Sequence, residues 1–184
     1  FDLFYGLFFS VPMHIFSNPS NPFDSFYEIR KNKITSIFSV PTFFANFVRY
    51  GIVKKQMKSL KRIISGGDFF SHKDILSWRN NQRKTEIFNV WGPTETSIVN
   101  SMYKITNKDN NRLLKGRSIP VGVSHKKMEI VILKDKKKQS RKQEGEICMV
   151  GECVSKGYIG STKEKKNYIK FKNKRAYLTG DLGY

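Results

Sequence analysis

The chain is poor in the residues that build disulfide scaffolds and metal centres. It has 2 cysteines in 184 residues, too few for the disulfide framework of a small secreted domain. Its 3 histidines, His14, His72 and His125, are scattered and have no partners at ligand spacing, which argues against a zinc site. With 39% hydrophobic residues, we expect the fold to rest on a packed apolar core.

The chain also lacks an uninterrupted apolar segment. Its first stretch, FDLFYGLFFSVPMHIF, is broken by Asp2, Pro12 and His14, and no basic residues precede it. A membrane helix needs about 20 apolar residues, and a signal peptide needs a basic start. We therefore expect a soluble, cytoplasmic protein with no membrane insertion. Because the sequence begins at Phe1 rather than Met, we expect it to be a piece of a longer protein.

Acidic residues are the scarce charge, with 15 Asp and Glu against 34 Lys and Arg and a formal net charge of +19. Nucleic-acid-binding domains usually concentrate positive charge on one face and carry a recognisable motif. Here the lysines are spread along the chain, with one dense run at 134–142. We favour a solvated, Lys-rich surface and expect no specific nucleic-acid partner. Docking of an acidic protein and salt-sensitive nucleic-acid binding stay open as alternatives.

Strand-like and helix-like patterns alternate over the first hundred residues. Strands separated by helices of this length predict an α/β fold, with a parallel sheet, right-handed crossovers and flanking helices. The strand-like runs are 13–17, 36–40, 62–65 and 86–91, and helices are predicted to start at Asn21-Pro22, at Pro41 and after a capping Ser71.

The pattern changes after about residue 105. Residues 126–134 (KKMEIVILK) and 145–151 (GEICMVG) read as strands joined by a polar, charged link. No helix is predicted to follow, so this half is expected to be a β-rich subdomain. We place the division at residues 1–106 and 107–184.

The most informative segment, residues 89–96 (NVWGPTET), directly follows a predicted strand. Gly-Pro forces a turn at the strand's end, where ligands bind in open α/β sheets. Thr94 and Glu95 then place a hydroxyl beside a carboxylate, a pair that suits a phosphate oxygen and its Mg²⁺. Trp91 adds a flat face for stacking a base. From spacing alone, an ordinary Gly-Pro turn with surface Thr and Glu is equally compatible.

Four segments, in order, resemble the signature motifs of the adenylate-forming superfamily, which includes acyl-CoA synthetases and amino-acid adenylation domains. They are IISGGD at 63–68, NVWGPTET, GEICMVGECVSKGYIG at 145–160 and AYLTGD at 176–181. The runs IPVGV at 119–123, VSKGYIGS and RAYLTGDLGY look most like D-alanine–carrier-protein ligases and nonribosomal peptide-synthetase adenylation domains. Gly66-Gly67-Asp68 departs from the Cys-Gly-Glu usual in those ligases.

The resemblance implies an ATP- and Mg²⁺-dependent ligase. It would activate an amino acid, with D-alanine as one candidate, as aminoacyl-AMP and transfer it to the phosphopantetheine thiol of a carrier protein. Residues 1–106 would bind nucleotide and substrate, and residues 107–184 would form the β-rich part that ends at the Thr-Gly-Asp motif.

The resemblance also assigns nucleotide-binding roles to individual residues. Trp91 would stack on adenine, with Asn89 beside it. Thr94 would hydrogen-bond the α-phosphate, and Glu95 would bind Mg²⁺, which makes these two the predicted catalytic residues. Asp181 would accept hydrogen bonds from both ribose hydroxyls. The remaining predicted nucleotide-binding residues are Gly66, Gly67, Asp68 and Gly92.

For the substrate, the resemblance places Asp2 beside the α-ammonium group, a charge-assisted contact that activators of neutral acids do not need. For each apolar residue of the implied pocket wall, the alternative is that it belongs to the ordinary apolar core. The predicted walls are Leu3, Gly6, Phe38, Ile64, Gly66, Val90, Ile98 and Val99.

Two parts of the superfamily's site have no counterpart in these residues. They are the Gly-rich, Lys-containing phosphate loop and the C-terminal lid with its lysine. We therefore predict that the 184-residue chain alone does not catalyse adenylation. The alternatives are a non-catalytic remnant of the fold, an acyl-CoA synthetase and a basic nucleic-acid-binding protein.

Overall fold

A computed structural model describes residues 2–135, 137–140, 143–160 and 166–184, with the side chains of residues 2–4 left out of the description. Within these ranges, no helix is long and apolar enough to cross a membrane. The helices and strands, in chain order, are α1 (Asp2–Phe9), α2 (Pro22–Lys31), β1 (Ser36–Ser39), α3 (Pro41–Arg49), β2 (Arg62–Gly66), α4 (His72–Asn81), β3 (Glu86–Trp91), β4 (Ser101–Ile105), α5 (Asn110–Leu114), β5 (Val123–Ser124), β6 (Met128–Lys134), β7 (Lys137–Lys138), β8 (Gly145–Gly151), β9 (Tyr168–Phe171) and β10 (Lys174–Gly183).

The chain divides into two compact units, and neither is continuous in sequence. Unit 1 comprises Phe1–Asn89 and Tyr103–Pro120, and unit 2 comprises Val90–Met102 and Val121–Tyr184. The division falls inside strands β3 and β4.

The first sheet has the strand order β1-β2-β3-β4-β5. Strands β1 and β2 run parallel, with Ser36 opposite Arg62 and Ser39 opposite Ser65. Helix α3 connects them, as a crossover between parallel strands requires. The predicted α/β class with a parallel sheet is confirmed.

The core of unit 1 is built around aromatic side chains. The indole of Trp78 on α4 is 1% exposed, and its Nε1 donates a hydrogen bond to the Phe44 carbonyl at 3.0 Å. Its ring meets that of Phe44 edge-on at 5.8 Å and that of Phe47 at 5.6 Å. Helix α3 supplies both phenylalanines from one stripe, which follows Pro41 at its first turn. Helices α3 and α4 are therefore joined by a hydrogen bond as well as by apolar packing.

Three local features differ from the sequence predictions. Residues 13–17 form no strand; instead the His14 ring bonds the Glu28 carboxylate, and the Phe16 ring packs 5.6 Å from Phe43. Two short helices, α1 and α5, are not among the predicted ones. Ser71 stands at the N-cap of α4 but makes no capping hydrogen bond with its side chain.

Unit 2 is built on an antiparallel sheet with the order β7-β6-β8-β10-β9. Strand β8 is central: Val131 of β6 lies opposite Cys148, and Leu178 of β10 lies opposite it on the other side. Ile147 and Met149 pack into one apolar cluster, and Cys148 packs into another. Both faces of β8 are buried, which explains why its sequence is continuously apolar and does not alternate.

The two cysteines differ in accessibility. Cys148 is fully buried, and burial, reinforced by the negative charge of Glu146, raises the pKa of its thiol from 9.0 to about 11. Cys153 lies just after β8 and is half-buried. Because the thiolate is the reactive form, this rise lowers the reactive fraction of Cys148 at pH 8 by about a hundredfold. We expect a thiol reagent at pH 8 to label one cysteine in the native chain and both after unfolding.

The variant Cys153→Ser provides the control for this labelling experiment. Native Cys153→Ser should react only at the rate at which the chain opens, and it should gain one fast thiol in concentrated guanidinium chloride. Rapid labelling of the folded variant would show that Cys148 is accessible and would contradict the packing of β8.

Candidate functional site

A rigid turn follows strand β3 and presents Thr94 and Glu95. Trp91 ends the strand, and residues Thr94–Thr96 form one turn of 3-10 helix. The Trp91 carbonyl accepts a hydrogen bond from the Asn100 amide at 2.9 Å, and the Asn100 side chain bonds that of Thr96. These contacts close the loop from within.

Gly92 is required by the tightness of this loop. A Cβ at position 92 would lie 2.4 Å from the Ile98 carbonyl oxygen and 2.5 Å from Asn100 Oδ1. A side chain there would push the two ends of the turn apart. The glycine of the Gly-Pro pair therefore serves close backbone approach, in addition to starting the turn.

Glu95 is held at two points. The Tyr158 hydroxyl donates a hydrogen bond to its Oε1, and its backbone carbonyl accepts one from the Ser155 amide at 2.8 Å. Partial burial tends to raise the pKa of the Glu95 carboxyl, but the Tyr158 hydroxyl, its own backbone amide and the Tyr177 hydroxyl together bring this pKa below its ordinary value. The side chain is therefore a carboxylate at neutral pH, next to the exposed hydroxyl of Thr94.

Tyr158, which bonds this carboxylate, belongs to a cluster of three tyrosines. The hydroxyls of Tyr158 and Tyr177 are 3.4 Å apart, and the Tyr168 ring lies 5.6 Å from that of Tyr158 and 4.9 Å from that of Tyr177. The Tyr168 hydroxyl is 2.8 Å from Ser155 Oγ. No sequence pattern assigns these residues a role, although Tyr158 belongs to the segment VSKGYIGS. The hydroxyls signal a polar cluster only once the fold has brought them together.

The aromatic and apolar residues of the motif have different environments. Trp91 is half-buried and packs against a unit 2 cluster formed by Met128, Ile147, Met149, Val154 and Tyr177. Val90 is buried, Val99 is half-buried and Ile98 is 50% exposed. Ile98 has φ of +70°, a left-handed backbone that β-branched residues rarely adopt. Such strain is common at ligand sites.

Asn89 belongs to unit 1. Its side-chain amide donates a hydrogen bond to the Pro120 carbonyl at 3.1 Å. That carbonyl ends the 103–120 part of unit 1. The bond fixes the amide plane, so the side chain has a defined orientation at the strand's end.

Asp181 lies within a β-bulge of strand β10. The pairing with β8 shifts register between Leu178 and Leu182, and Gly180 between them has φ of +80°. The Gly180 amide donates to Glu146 Oε1 at 2.9 Å, and the Asp181 amide donates to Thr179 Oγ1 at 3.1 Å. Bulges of this kind redirect side chains next to functional sites. The Asp181 carboxylate is exposed and, among the described residues, has no hydrogen-bond or salt-bridge partner.

In unit 1, several residues predicted to bind substrate or nucleotide lie together at the ends of β1 and β2. Phe38 and Ile64 are direct neighbours across the parallel pair, and both are half-buried. Gly66 is buried at the end of β2, and Gly67 has φ of +89°. The Asp68 carboxylate accepts a hydrogen bond from the Phe69 amide at 2.6 Å, which closes a local turn. These residues therefore share the carboxyl edge of the sheet.

The N-terminal predictions fall on helix α1. Gly6 is buried, and Met13 Sδ would lie 2.3 Å from a Cβ at that position. Asp2 and Leu3 lie in the first turn of the helix. Their side chains lie outside the described part of the chain.

The donor set fits magnesium shared with a phosphate. Within the described residues, no group of three or more His, Cys, Asp or Glu side chains could hold a metal ion. Mg²⁺ is usually bound by one or two carboxylates together with substrate phosphates and water. The Glu95 carboxylate beside the Thr94 hydroxyl matches that pattern, whereas an all-protein metal cage does not.

Comparison with known proteins assigns the chain to a family. Residues 1–159 match the sequence profile of the family described as AMP-binding enzyme. The chain belongs to this family.

A curated relative and two solved structures add detail. The D-alanine–D-alanyl carrier protein ligase of Bacillus velezensis is 29% identical over 164 residues, which cover 86% of this chain and 32% of the relative. The crystal structure of IdnL7 covers 94% of this chain and 34% of its own, with a TM-score of 0.77 and 24% identity. The O-succinylbenzoate coenzyme A synthetase of Bacillus subtilis, solved with ATP and magnesium ion, gives a TM-score of 0.72 at 21% identity over 89% of this chain and 32% of its own. The two structures share the fold, and the chain spans about a third of the length of these proteins.

Proposed function

We propose that this chain is the middle part of an ATP-dependent ligase that activates an amino acid as aminoacyl-AMP. The observation that carries the proposal is the closed turn after β3, which presents the Thr94 hydroxyl next to the ionised Glu95 carboxylate. Membership of the AMP-binding family and the structural likeness to a synthetase solved with ATP and magnesium ion support it.

In the proposed reaction, a carboxylate oxygen of the amino acid attacks the α-phosphorus of ATP, and the bond to pyrophosphate breaks. Thr94 would donate a hydrogen bond to an α-phosphate oxygen, and Glu95 would hold Mg²⁺. The ion neutralises charge on the phosphate oxygens when bound. Asp181 would accept hydrogen bonds from the two ribose hydroxyls, and Trp91 would stack on adenine, with Asn89, Gly92 and the Gly66-Gly67-Asp68 turn completing the nucleotide-binding residues. Positioning and charge neutralisation supply most of the rate in such chemistry.

The acyl acceptor in this proposal is the phosphopantetheine thiol of a carrier protein. The thiolate would attack the carbonyl carbon of the adenylate, and AMP would leave. The name of the Bacillus velezensis relative supports a carrier-protein partner. A formal net charge of +19 would favour docking of an acidic carrier.

The substrate class rests on Asp2, which would pair with an α-ammonium group. D-alanine is one candidate, through the carrier-protein ligase relative. The Gly66-Gly67-Asp68 turn, where those ligases usually have Cys-Gly-Glu, separates this chain from them. Phe38, Ile64 and Gly66 would form part of the pocket wall, together with Leu3, Gly6, Val90, Ile98 and Val99.

Pyrophosphate exchange in the complete protein tests the proposal. We expect exchange of labelled pyrophosphate into ATP to depend on an amino acid, and Asp2→Ala to reduce it at least tenfold, about 1.4 kcal/mol. Asp24→Ala, on the exposed face of α2, is the matched control and should stay within twofold. The 184-residue chain alone should show no exchange, because the phosphate loop and lid lysine have no counterpart in it.

Two outcomes would contradict the proposal in different ways. Exchange with aryl or fatty acids but no amino acid would identify an acyl-CoA synthetase, the second candidate raised by the O-succinylbenzoate enzyme. No exchange with any acid would identify a remnant that kept the fold without the chemistry.

A further inference from the structure

The Tyr158 side chain donates directly to the Glu95 carboxylate, and neither the roles that the resemblance implies nor the proposed function includes it. Its hydroxyl reaches Glu95 Oε1. Its ring packs edge-to-face on Tyr168, with an interplanar angle of 79°. Its hydroxyl also lies 3.4 Å from that of Tyr177, which is 6% exposed. The donor therefore has a fixed place, although Tyr158 itself is 36% exposed.

The segment that carries Tyr158 is fastened to the Glu95 turn at two further points. The Ser155 amide donates to the Glu95 carbonyl at 2.8 Å, and Ser97 Oγ donates to the Cys153 carbonyl at 3.4 Å. Glu95 and Tyr158 are 63 residues apart in sequence. These two hydrogen bonds place the segment, and the Tyr158 hydroxyl then bonds one oxygen of the Glu95 carboxylate.

A carboxylate has two oxygens, and Tyr158 engages one of them. Among the described residues, the direct side-chain hydrogen bond to this carboxylate reaches Oε1, the Tyr177 hydroxyl stabilises its charge more weakly, and no salt bridge involves Glu95. A side chain fixed through one oxygen loses rotational freedom and keeps the other oxygen in a constant direction. Carboxylate ligands of metals are commonly oriented in this way by a hydrogen bond from a neighbour, and its loss typically costs about 10- to 100-fold in metal affinity.

We propose that Tyr158 is a positioning residue: it holds Glu95 through Oε1 and so presents Oε2 to the divalent cation. The inference rests on the proposed function, since it assigns a partner to the proposed metal ligand. It predicts a defined effect of one hydroxyl on cation binding. A role confined to packing would depend on the ring, which phenylalanine retains.

The test uses Mn²⁺, whose preference for oxygen ligands resembles that of Mg²⁺, and the chain labelled with 3-fluorotyrosine. Bound Mn²⁺ broadens nearby fluorine resonances, so even weak binding can be titrated without turnover. The reporter is the Tyr177 resonance. The resonances of the unit 1 tyrosines measure the nonspecific broadening by free Mn²⁺. We expect Tyr158→Phe to need about tenfold more Mn²⁺ for the same broadening. Tyr168→Phe, which removes a neighbouring hydroxyl not bonded to the carboxylate, should stay within twofold.

Glu95→Gln separates failure of the inference from failure of the proposed function. Selective broadening of Tyr177 should disappear in Glu95→Gln. If it persists, Glu95 is not the metal ligand, and the metal assignment falls together with the role of Tyr158. If it disappears while Tyr158→Phe titrates like the wild type, the metal assignment stands and the positioning role is overturned.

A second variant covers the case in which Tyr158→Phe does not give the dispersed spectrum of a folded chain. Tyr177→Phe removes the hydroxyl 3.4 Å from that of Tyr158, with Tyr168 as reporter. We expect Mn²⁺ binding at least twofold weaker, because the Tyr158 hydroxyl loses its neighbour. Unchanged binding in that variant would overturn the inference.

Discussion

Replacing Trp78 with alanine is expected to lower the free energy of unfolding by about 3–5 kcal/mol. The indole is 1% exposed and packs against Phe44 and Phe47, so its removal leaves a cavity between α3 and α4. It also removes the donor to the Phe44 carbonyl. Since small domains are stable by about 5–15 kcal/mol in total, we expect a large fall in the urea midpoint followed by circular dichroism.

Two variants make the measurement specific. Trp78→Phe keeps an aromatic ring but loses the hydrogen bond to the Phe44 carbonyl and part of the indole's packing, which should cost about 1–3 kcal/mol. Phe69→Ala removes a ring that is 61% exposed and should stay within about 0.5 kcal/mol. A loss below 1 kcal/mol for Trp78→Ala would mean that this indole is not central to the core of unit 1.

Glu95→Gln is expected to reduce amino-acid-dependent pyrophosphate exchange of the complete protein at least tenfold, about 1.4 kcal/mol. Glutamine is nearly isosteric and can still accept the Tyr158 hydrogen bond through its carbonyl oxygen. It cannot supply the negative charge that the proposed Mg²⁺ site needs. The expected loss should therefore appear in exchange and leave the melting temperature almost unchanged.

Glu152→Gln is the matched control for this prediction. Glu152 pairs with Lys127 at the surface, at an N–O distance of 3.4 Å, and exposed pairs contribute little. Its exchange rate should stay within twofold of the wild type. Equal rates for Glu95→Gln and Glu152→Gln would refute the metal assignment while leaving the family membership intact.

Much of unit 1 could be predicted because its signals are local. Pro41 followed by a stripe of phenylalanines marks both the start and the buried face of α3, and an alternation of strands and helices is what a parallel sheet requires. The same holds for the turn after β3, where the strand's end, Gly-Pro, hydroxyl and carboxylate are contiguous. Short-range sterics and side-chain periodicity decide these features.

The partners of the turn could not be predicted, because they come from distant segments. Tyr158 reaches Glu95 across 63 residues, and nothing in the local pattern of SKGYIGS indicates where its hydroxyl lies. The bulge that contains Asp181 is similar: Gly180 signals a flexible point, but the register shift depends on pairing with β8. Tertiary contacts, rather than propensity, decide both.

The interleaving of the two units sets an order on synthesis. Unit 1 needs Ile105 and Leu113 in its apolar core, yet the ribosome makes residues 90–102, which belong to unit 2, before either of them. In the nascent chain, residues 90–102 therefore lack their unit 2 partners until the strands of 121–184 emerge. During that interval the Thr94–Thr96 turn lacks the hydrogen bonds that the Ser155 amide and the Tyr158 hydroxyl donate to Glu95. The turn that presents Glu95 can thus make its native contacts only after translation has passed Ser155 and Tyr158.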